Sequence, residues 1–401
     1  MFFFYLLLFI IWPFFAFVFA LFKCESRLVK MLVVVGFTAI MGANIFYEDV
    51  TGDAVQYARY FIEDATYGVN FMDFISQGRI DILLPLSNLF VAQFTMNPRI
   101  LLSLYGLLYG LLIYLSLSKA YNLILGEYSF VRNKMQSFSM HDNRISVIFI
   151  LVMIYFVNPM THMGTFRFFF STWLFFYGWL VYTEGQKRLG TVFMLITPLI
   201  HTTFIIPLLI FVIHKYIPIP TKMLFWGVIL CFIIGQVLYV QDYMQEISFI
   251  TDSEKYEGYI QYEEYEKRME MAERRSIIND ISQIVYKYVF FGIVLSLYPI
   301  INRFIKEGEN SKVVYLYNFV LLYCCFAYLF LQVPSMGRFS LLANMFLLFV
   351  VGVLISMEAI QRKRLLLIFV SLAMLGQIYL SLYPNNVGRF DLKYLFPIFY
   401  L

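Results

Sequence analysis

The sequence predicts an all-α protein, a polytopic integral membrane helical bundle of about ten spanning helices plus two re-entrant or half-membrane segments. Three observations predict it. The chain of 401 residues is 61% hydrophobic and 20% aromatic, with a mean hydropathy of +0.73, whereas soluble domains are roughly 45–50% apolar. Apolar runs recur from Met1 to Tyr383 with no long soluble block between them, so one membrane domain over 1–401 is expected. Inside lipid the backbone has no water to bond, which leaves helices as the form those runs take, each needing about 20 residues to cross.

The first run, MFFFYLLLFIIWPFFAFVFALF, has neither a basic leader nor a small-residue cleavage site and reads as a retained span over Phe2–Phe22. Spans are expected next at Met31–Phe46, Ile100–Ser118, Ile145–Val157, Phe168–Tyr182, Lys222–Val240, Ile284–Ile301, Val313–Leu331, Ser340–Met357 and Leu365–Tyr383. Lysine and arginine set the orientation. The clusters Lys23/Arg27/Lys30, Lys119/Arg132/Lys134/Arg144, Lys187/Arg188, His214/Lys215, Arg303/Lys306/Lys312 and Arg362/Lys363/Arg364 all ask to be cytoplasmic. They share one side only if Ile80–Met96 and Leu189–Ile213 do not cross. Each of those runs carries an internal proline, Pro85 or Pro198, which removes an amide donor and suits a half-membrane hairpin. Both termini are then outside. The outward surface holds 47–79 with an interfacial helix, Asn158–Arg167, a polar loop or lid over 241–282, Gln332–Arg338 and the tail from Pro384.

Charge and motifs exclude several classes. The net charge is only +4, and basic residues are scattered rather than striped with aromatics, so nucleic acid is not an expected partner. The four cysteines show no disulfide or zinc spacing. There is no P-loop, no dinucleotide fingerprint and no HExxH, so neither a metal site nor a cofactor is expected.

Three outward segments share a grammar: MGTFRFF at Arg167, MGRFS at Arg338 and VGRFD at Arg389. Arg167 and Arg338 fall where an outside-to-inside helix begins, beside unpaired amides and the positive dipole end. A cation there is poorly placed unless an anion joins it, and helix starts with guanidinium forks suit phosphate, here a diphosphate. The alternative is an interfacial arginine snorkelling to headgroups. In GDAVQYARYF, Asp53 and Gln56 form a capping box, and Ala54, Tyr57, Ala58 and Phe61 share a face, so a short helix starts there. Asp53 is either a cap or a carboxylate that also takes a proton. His201, in LITPLIHTTFII among Thr197, Thr202 and Thr203, is either a base or phosphate donor, or a neutral histidine bonded within the bundle. His162 lies near Arg167 on the outward loop. In SEKYEGYIQYEEYEKR, Tyr256, Tyr259, Tyr262 and Tyr265 recur at three-residue spacing, fit either to stack under sugar rings or to form a solvated lid.

GDAVQYARYF, FRFFFSTWLFF, PLIHTTFIIPL and GRFSLLANMFLL, in that order, resemble the EpsG family of bacterial polysaccharide polymerases, related in role to the Wzy O-antigen polymerases. The resemblance runs from about Asn44 to Met357 and rests on Asp53, Tyr57, Phe61, Arg167, His201 and Arg338. The phenylalanines after Arg167 depart from the small residues common there in the family. The resemblance implies a metal-independent membrane glycosyltransferase, in a GT-C-like bundle, that joins undecaprenyl-diphosphate-linked repeat units on the outer face of the cytoplasmic membrane. It also implies lipid-linked glycan donor and acceptor as partners, with membrane lipids, a chain-length regulator and a flippase alongside. On this scheme Arg167 and Arg338 hold the diphosphate, Arg389 is a weaker third, and His201 or Asp53 is the base. Tyr57, His162, Tyr256, Tyr259 and Tyr262 are expected to bind substrate. A transporter of lipid-linked saccharide, or an O-antigen-ligase-like enzyme, is the alternative.

Overall fold

The computed structural model describes residues 2–45, 53–68, 82–127, 140–158, 165–237, 277–308, 311–331 and 338–357, with Ser371 and Leu375. Among them the secondary structure is helical, with no strand. Among the described residues four helical stretches are long and apolar enough to cross a membrane: Pro98–Gly126, Lys287–Glu307, Ser311–Leu329 and Phe339–Ser356. The expected span Leu365–Tyr383 lies outside the described residues apart from Ser371 and Leu375.

The N-terminal run differs from the single span expected over Phe2–Phe22. It forms α1 (Phe2–Ile11) and α2 (Pro13–Lys23). Pro13 offers no amide and pushes the residue before it out of the helical region, and Trp12 sits at φ −145° and ψ 85°. The chain folds back there. Phe4 and Phe19 bring their rings to 5.9 Å, where an unbroken helix would separate them by about 22 Å. Ala16 and Ala20 supply the small face on which Tyr5 packs, together with Val29 and Val33 of α3 (Arg27–Ala43).

The helices fall into two compact units. The first contains α1 to α3, α4 (Asp53–Tyr67), α5 (Leu83–Ala92), α6 (Pro98–Asn122), α8 (Phe166–Glu184) and α9 (Lys187–Ile200). Its axis is the pairing of α3 with α6. A Cβ on Gly106 would run into the Thr38 carbonyl and come within 3.2 Å of the Ala39 Cα, while one on Gly42 would come within 3.2 Å of the Gly106 Cα. Small residues on both helices thus let the two backbones touch, the form of helix contact that lipid favours because apolar burial gives little drive there. At 10 residues α5 is about 15 Å long, half the hydrocarbon core, as expected for the Pro85 run.

The Pro198 run is broken in two. Pro198 leaves the Met194 carbonyl without its usual amide donor, and the Thr197 hydroxyl donates to it at 2.7 Å, so the helix survives the proline itself. It ends at His201, whose backbone is extended (φ −146°, ψ 110°). A 3₁₀ turn, Thr202–Phe204, and α10 (Ile205–Tyr216) follow. In the first unit α9 packs along α8, and in the second α10 sets Phe211 against Phe319 and His214 against Tyr315.

The second unit contains α7 (Met140–Val157), α10 from Leu209 on, α11 (Thr221–Val237), α12 (Ile277–Glu307), α13 (Ser311–Leu329) and α14 (Phe339–Ser356). Phe232 of α11 stacks on Phe291 of α12 at 3.9 Å. A Cβ on Gly235 would collide with the Tyr328 carbonyl of α13, so these helices also meet backbone to backbone. Nearly all of α14 is buried, between α7 and α13.

Candidate functional site

The site forms where four helices of the first unit meet at one end. Helix α4 starts at Asp53 and turns Ala54, Tyr57, Ala58 and Phe61 inward, all buried, as the one-face pattern predicts. Helix α8 starts at Phe166, which places Arg167 in its first turn, among amides that have no partner within the helix. The two helices meet through their side chains. Arg167 Nε donates to the Tyr57 hydroxyl at 3.2 Å, and its guanidinium carbon lies 5.4 Å from the Tyr57 ring centre. A tyrosine that both accepts from a guanidinium and offers it a ring face fixes the direction in which that cation points. Arg167 itself is half-buried.

His201 reaches the same turn from the break after α9. Its ring meets Phe168, the neighbour of Arg167, edge to face at 5.5 Å, and its Nδ1 lies 2.6 Å from the Thr203 hydroxyl. If Nδ1–H is the donor in that pair, Nε2 is left as the acceptor, the state a base requires. The histidine is half-buried.

Residues that the sequence reading did not single out hold this turn in place. Asn158 is fully buried. Its Oδ1 accepts from the Tyr109 hydroxyl at 2.7 Å, its Nδ2 donates to the Phe169 carbonyl at 3.1 Å, and its own carbonyl accepts from Trp173 Nε1 at 3.0 Å. One amide thereby ties α6 to the first turn of α8. Tyr105, one turn before Tyr109 on the same face of α6, stacks on Phe166 at 4.3 Å and meets Tyr57 edge-on at 6.4 Å. The available signal was an asparagine in an otherwise apolar run ahead of Pro159, and two tyrosines four apart beside Gly106 and Gly110.

The opposite end of the unit is marked by charge. Lys119 of α6 pairs with Glu184 of α8 at 2.6 Å, and Tyr114 donates to the Arg27 carbonyl at the start of α3. The basic groups around Arg27, Lys119 and Lys187 therefore share one end, separated from Arg167 by the stretch of α8 from Arg167 to Glu184, about 26 Å.

Asp53 is the opening residue of α4, which places it one turn before Tyr57. Arg338 is exposed and directly precedes α14 in the second unit, without a side-chain cap to it. Arg389, His162, Tyr256, Tyr259 and Tyr262 lie outside the described residues. Among the described residues, no three His, Cys, Asp or Glu side chains gather as metal ligands.

The model of a protein family described as the EpsG family matches residues 29–396. No curated protein and no solved structure matches the chain.

Proposed function

The chain belongs to the EpsG family, and on that premise we propose that it polymerises undecaprenyl-diphosphate-linked oligosaccharide repeat units into a bacterial surface polysaccharide, on the extracytoplasmic face of the cytoplasmic membrane. The observation that carries the reading is Arg167: a guanidinium in the first turn of α8, aimed by Tyr57, with His201 against the next residue. Backbone amides and a fixed cation at a helix start favour an anion with several acceptor oxygens, which a diphosphate provides. The outward orientation is supported by the basic residues collected at the far end of the same unit.

In the reaction, the bond between the anomeric carbon of the donor glycan and its phosphate oxygen breaks, and undecaprenyl diphosphate leaves with the electron pair. A hydroxyl of the acceptor repeat forms the new bond to that carbon, and its proton passes to His201 or Asp53. Arg167 and Arg338 stabilise the charge that grows on the leaving diphosphate, and Arg389 is a third group for it. Positive charge comes from guanidinium groups, so the scheme calls for no metal. Tyr57 orients Arg167, while His162 and Tyr256, Tyr259 and Tyr262 are assigned to the sugars.

The test is purified protein in nanodiscs with lipid-diphosphate repeat units extracted from the source strain lacking this gene, without nucleotide or added metal. A length ladder is expected, and Arg167→Ala should abolish it while single repeats remain. A normal ladder from both Arg167→Ala and Arg338→Ala removes the site assignment, and movement of substrate without bond formation would favour a transporter.

A further inference from the structure

We propose that Tyr105 is the pivot that positions Arg167, and that its orientation is set by a carboxylate, Asp64, acting through Asn88. The proposal rests on the reading of Arg167 as the diphosphate-binding group. These residues come from three helices: Asp64 from α4, Ser87 and Asn88 from α5, and Tyr105 from α6.

The hydrogen bonds among them have one consistent direction. An ionised carboxylate only accepts, so Asp64 turns the amide of Asn88 to present its nitrogen, and Nδ2 donates to Oδ2 at 3.2 Å. That choice turns Asn88 Oδ1 toward Tyr105, whose hydroxyl donates to it at 3.3 Å. With its proton committed, the Tyr105 oxygen accepts from the Ser87 hydroxyl, 2.8 Å away. Asn88 and Tyr105 are both buried, where such a chain is strengthened by weak screening and a broken member leaves an unsatisfied group.

The ring of Tyr105 then meets both supports of the arginine. One face stacks on Phe166, the residue before Arg167, at 4.3 Å and 10° between planes. It also stands at 90° to the ring of Tyr57, the hydrogen-bond partner of Arg167. Tyr57 and Asp64 are seven residues apart on α4, two turns along one face, so the same helix carries the anchor of the relay and its target. This gives α5, too short to span, a role: it brings Ser87 and Asn88 against Tyr105.

Tyr105 is a positioning residue in this account, and its loss should slow turnover without weakening substrate capture. With full-length protein in nanodiscs and the extracted lipid-diphosphate repeat unit as substrate, kcat and KM are taken per folded protein for Tyr105→Phe, Asn88→Ala and Ser87→Ala. Tyr105→Phe and Asn88→Ala are each expected to lower kcat about tenfold with KM within about twofold, and Tyr57→Phe combined with Tyr105→Phe should fall well short of the product of the single effects. Ser87→Ala, which touches only the hydroxyl end, serves if Asn88→Ala does not fold. Wild-type kcat in Tyr105→Phe, or losses that multiply independently of Tyr57, would overturn the pivot while an inactive Arg167→Ala leaves the site reading intact. Full activity in Arg167→Ala would also overturn the pivot, and full activity in both Arg167→Ala and Arg338→Ala would overturn the site reading with it.

Discussion

Replacing Asn158 by leucine, similar in volume but without polar atoms, should destabilise the first unit by about 3–5 kcal/mol. The figure follows from what the amide does. Two side-chain hydrogen bonds disappear, the one from the Tyr109 hydroxyl at 2.7 Å and the one to the Phe169 carbonyl at 3.1 Å, each worth about 1 kcal/mol net. The Tyr109 hydroxyl, on a residue with no exposed surface, is then stranded, which adds about 1–3 kcal/mol. The Phe169 carbonyl keeps its helical amide partner, and Trp173 keeps the Asn158 backbone carbonyl, so neither adds much. Tyr109→Phe in the same chain removes the stranded hydroxyl and should recover about 1 kcal/mol or more. The assay is unfolding in mixed micelles of dodecyl maltoside and increasing dodecyl sulfate, followed by tryptophan fluorescence, since Trp173 and Trp179 lie in α8. A stability for Asn158→Leu within about 0.5 kcal/mol of wild type would refute the reasoning. So would a double variant as unstable as the sum of the two single ones.

Gly106→Val should cost about 3 kcal/mol or more, because the branched side chain meets the backbone of α3 at Thr38 and Ala39 rather than a movable side chain. Gly292→Ala is the control: nothing lies within 4 Å of its Cβ position in α12, so it should be neutral or stabilising by up to about 1 kcal/mol. Both are read in the same micelle titration, and equal effects would remove the close-approach argument. Gln186→Cys, exposed just past Glu184, should react with a membrane-impermeant maleimide only after permeabilisation, above the background of the native cysteines. Labelling in intact cells would reverse the proposed orientation and put Arg167 on the cytoplasmic side.

Legibility differed from residue to residue. The inward face of α4 was legible because the one-face spacing of Ala54, Tyr57, Ala58 and Phe61 is a property of a few consecutive residues. Arg167 was legible as a helix-start cation for the same reason. The fold-back at Trp12 was not read from the sequence, although Pro13 supplied the cause: apolar runs on both sides of a proline suit either a kinked span or a hairpin, and Tyr5 packing on Ala16 and Ala20 selects the hairpin. The contact of Arg167 with Tyr57 joins residues 110 apart, and no local pattern encodes which helices become neighbours.

By itself the sequence determined that the chain is a helical membrane protein, where the helix over α4 begins, and that an arginine opens α8. These follow from the cost of unbonded backbone in lipid and from contacts within a turn or two. Only the tertiary structure decided that Tyr57, Arg167 and His201 share one end of a unit, and that Asn158 and Tyr105 brace it. Several of the helices are apolar on every side, α14 most plainly, so hydrophobic periodicity assigns them no inward face. The choice of neighbour then falls to small-residue contacts such as Gly106 with Thr38 and to a few buried hydrogen bonds, which act between segments far apart in the chain.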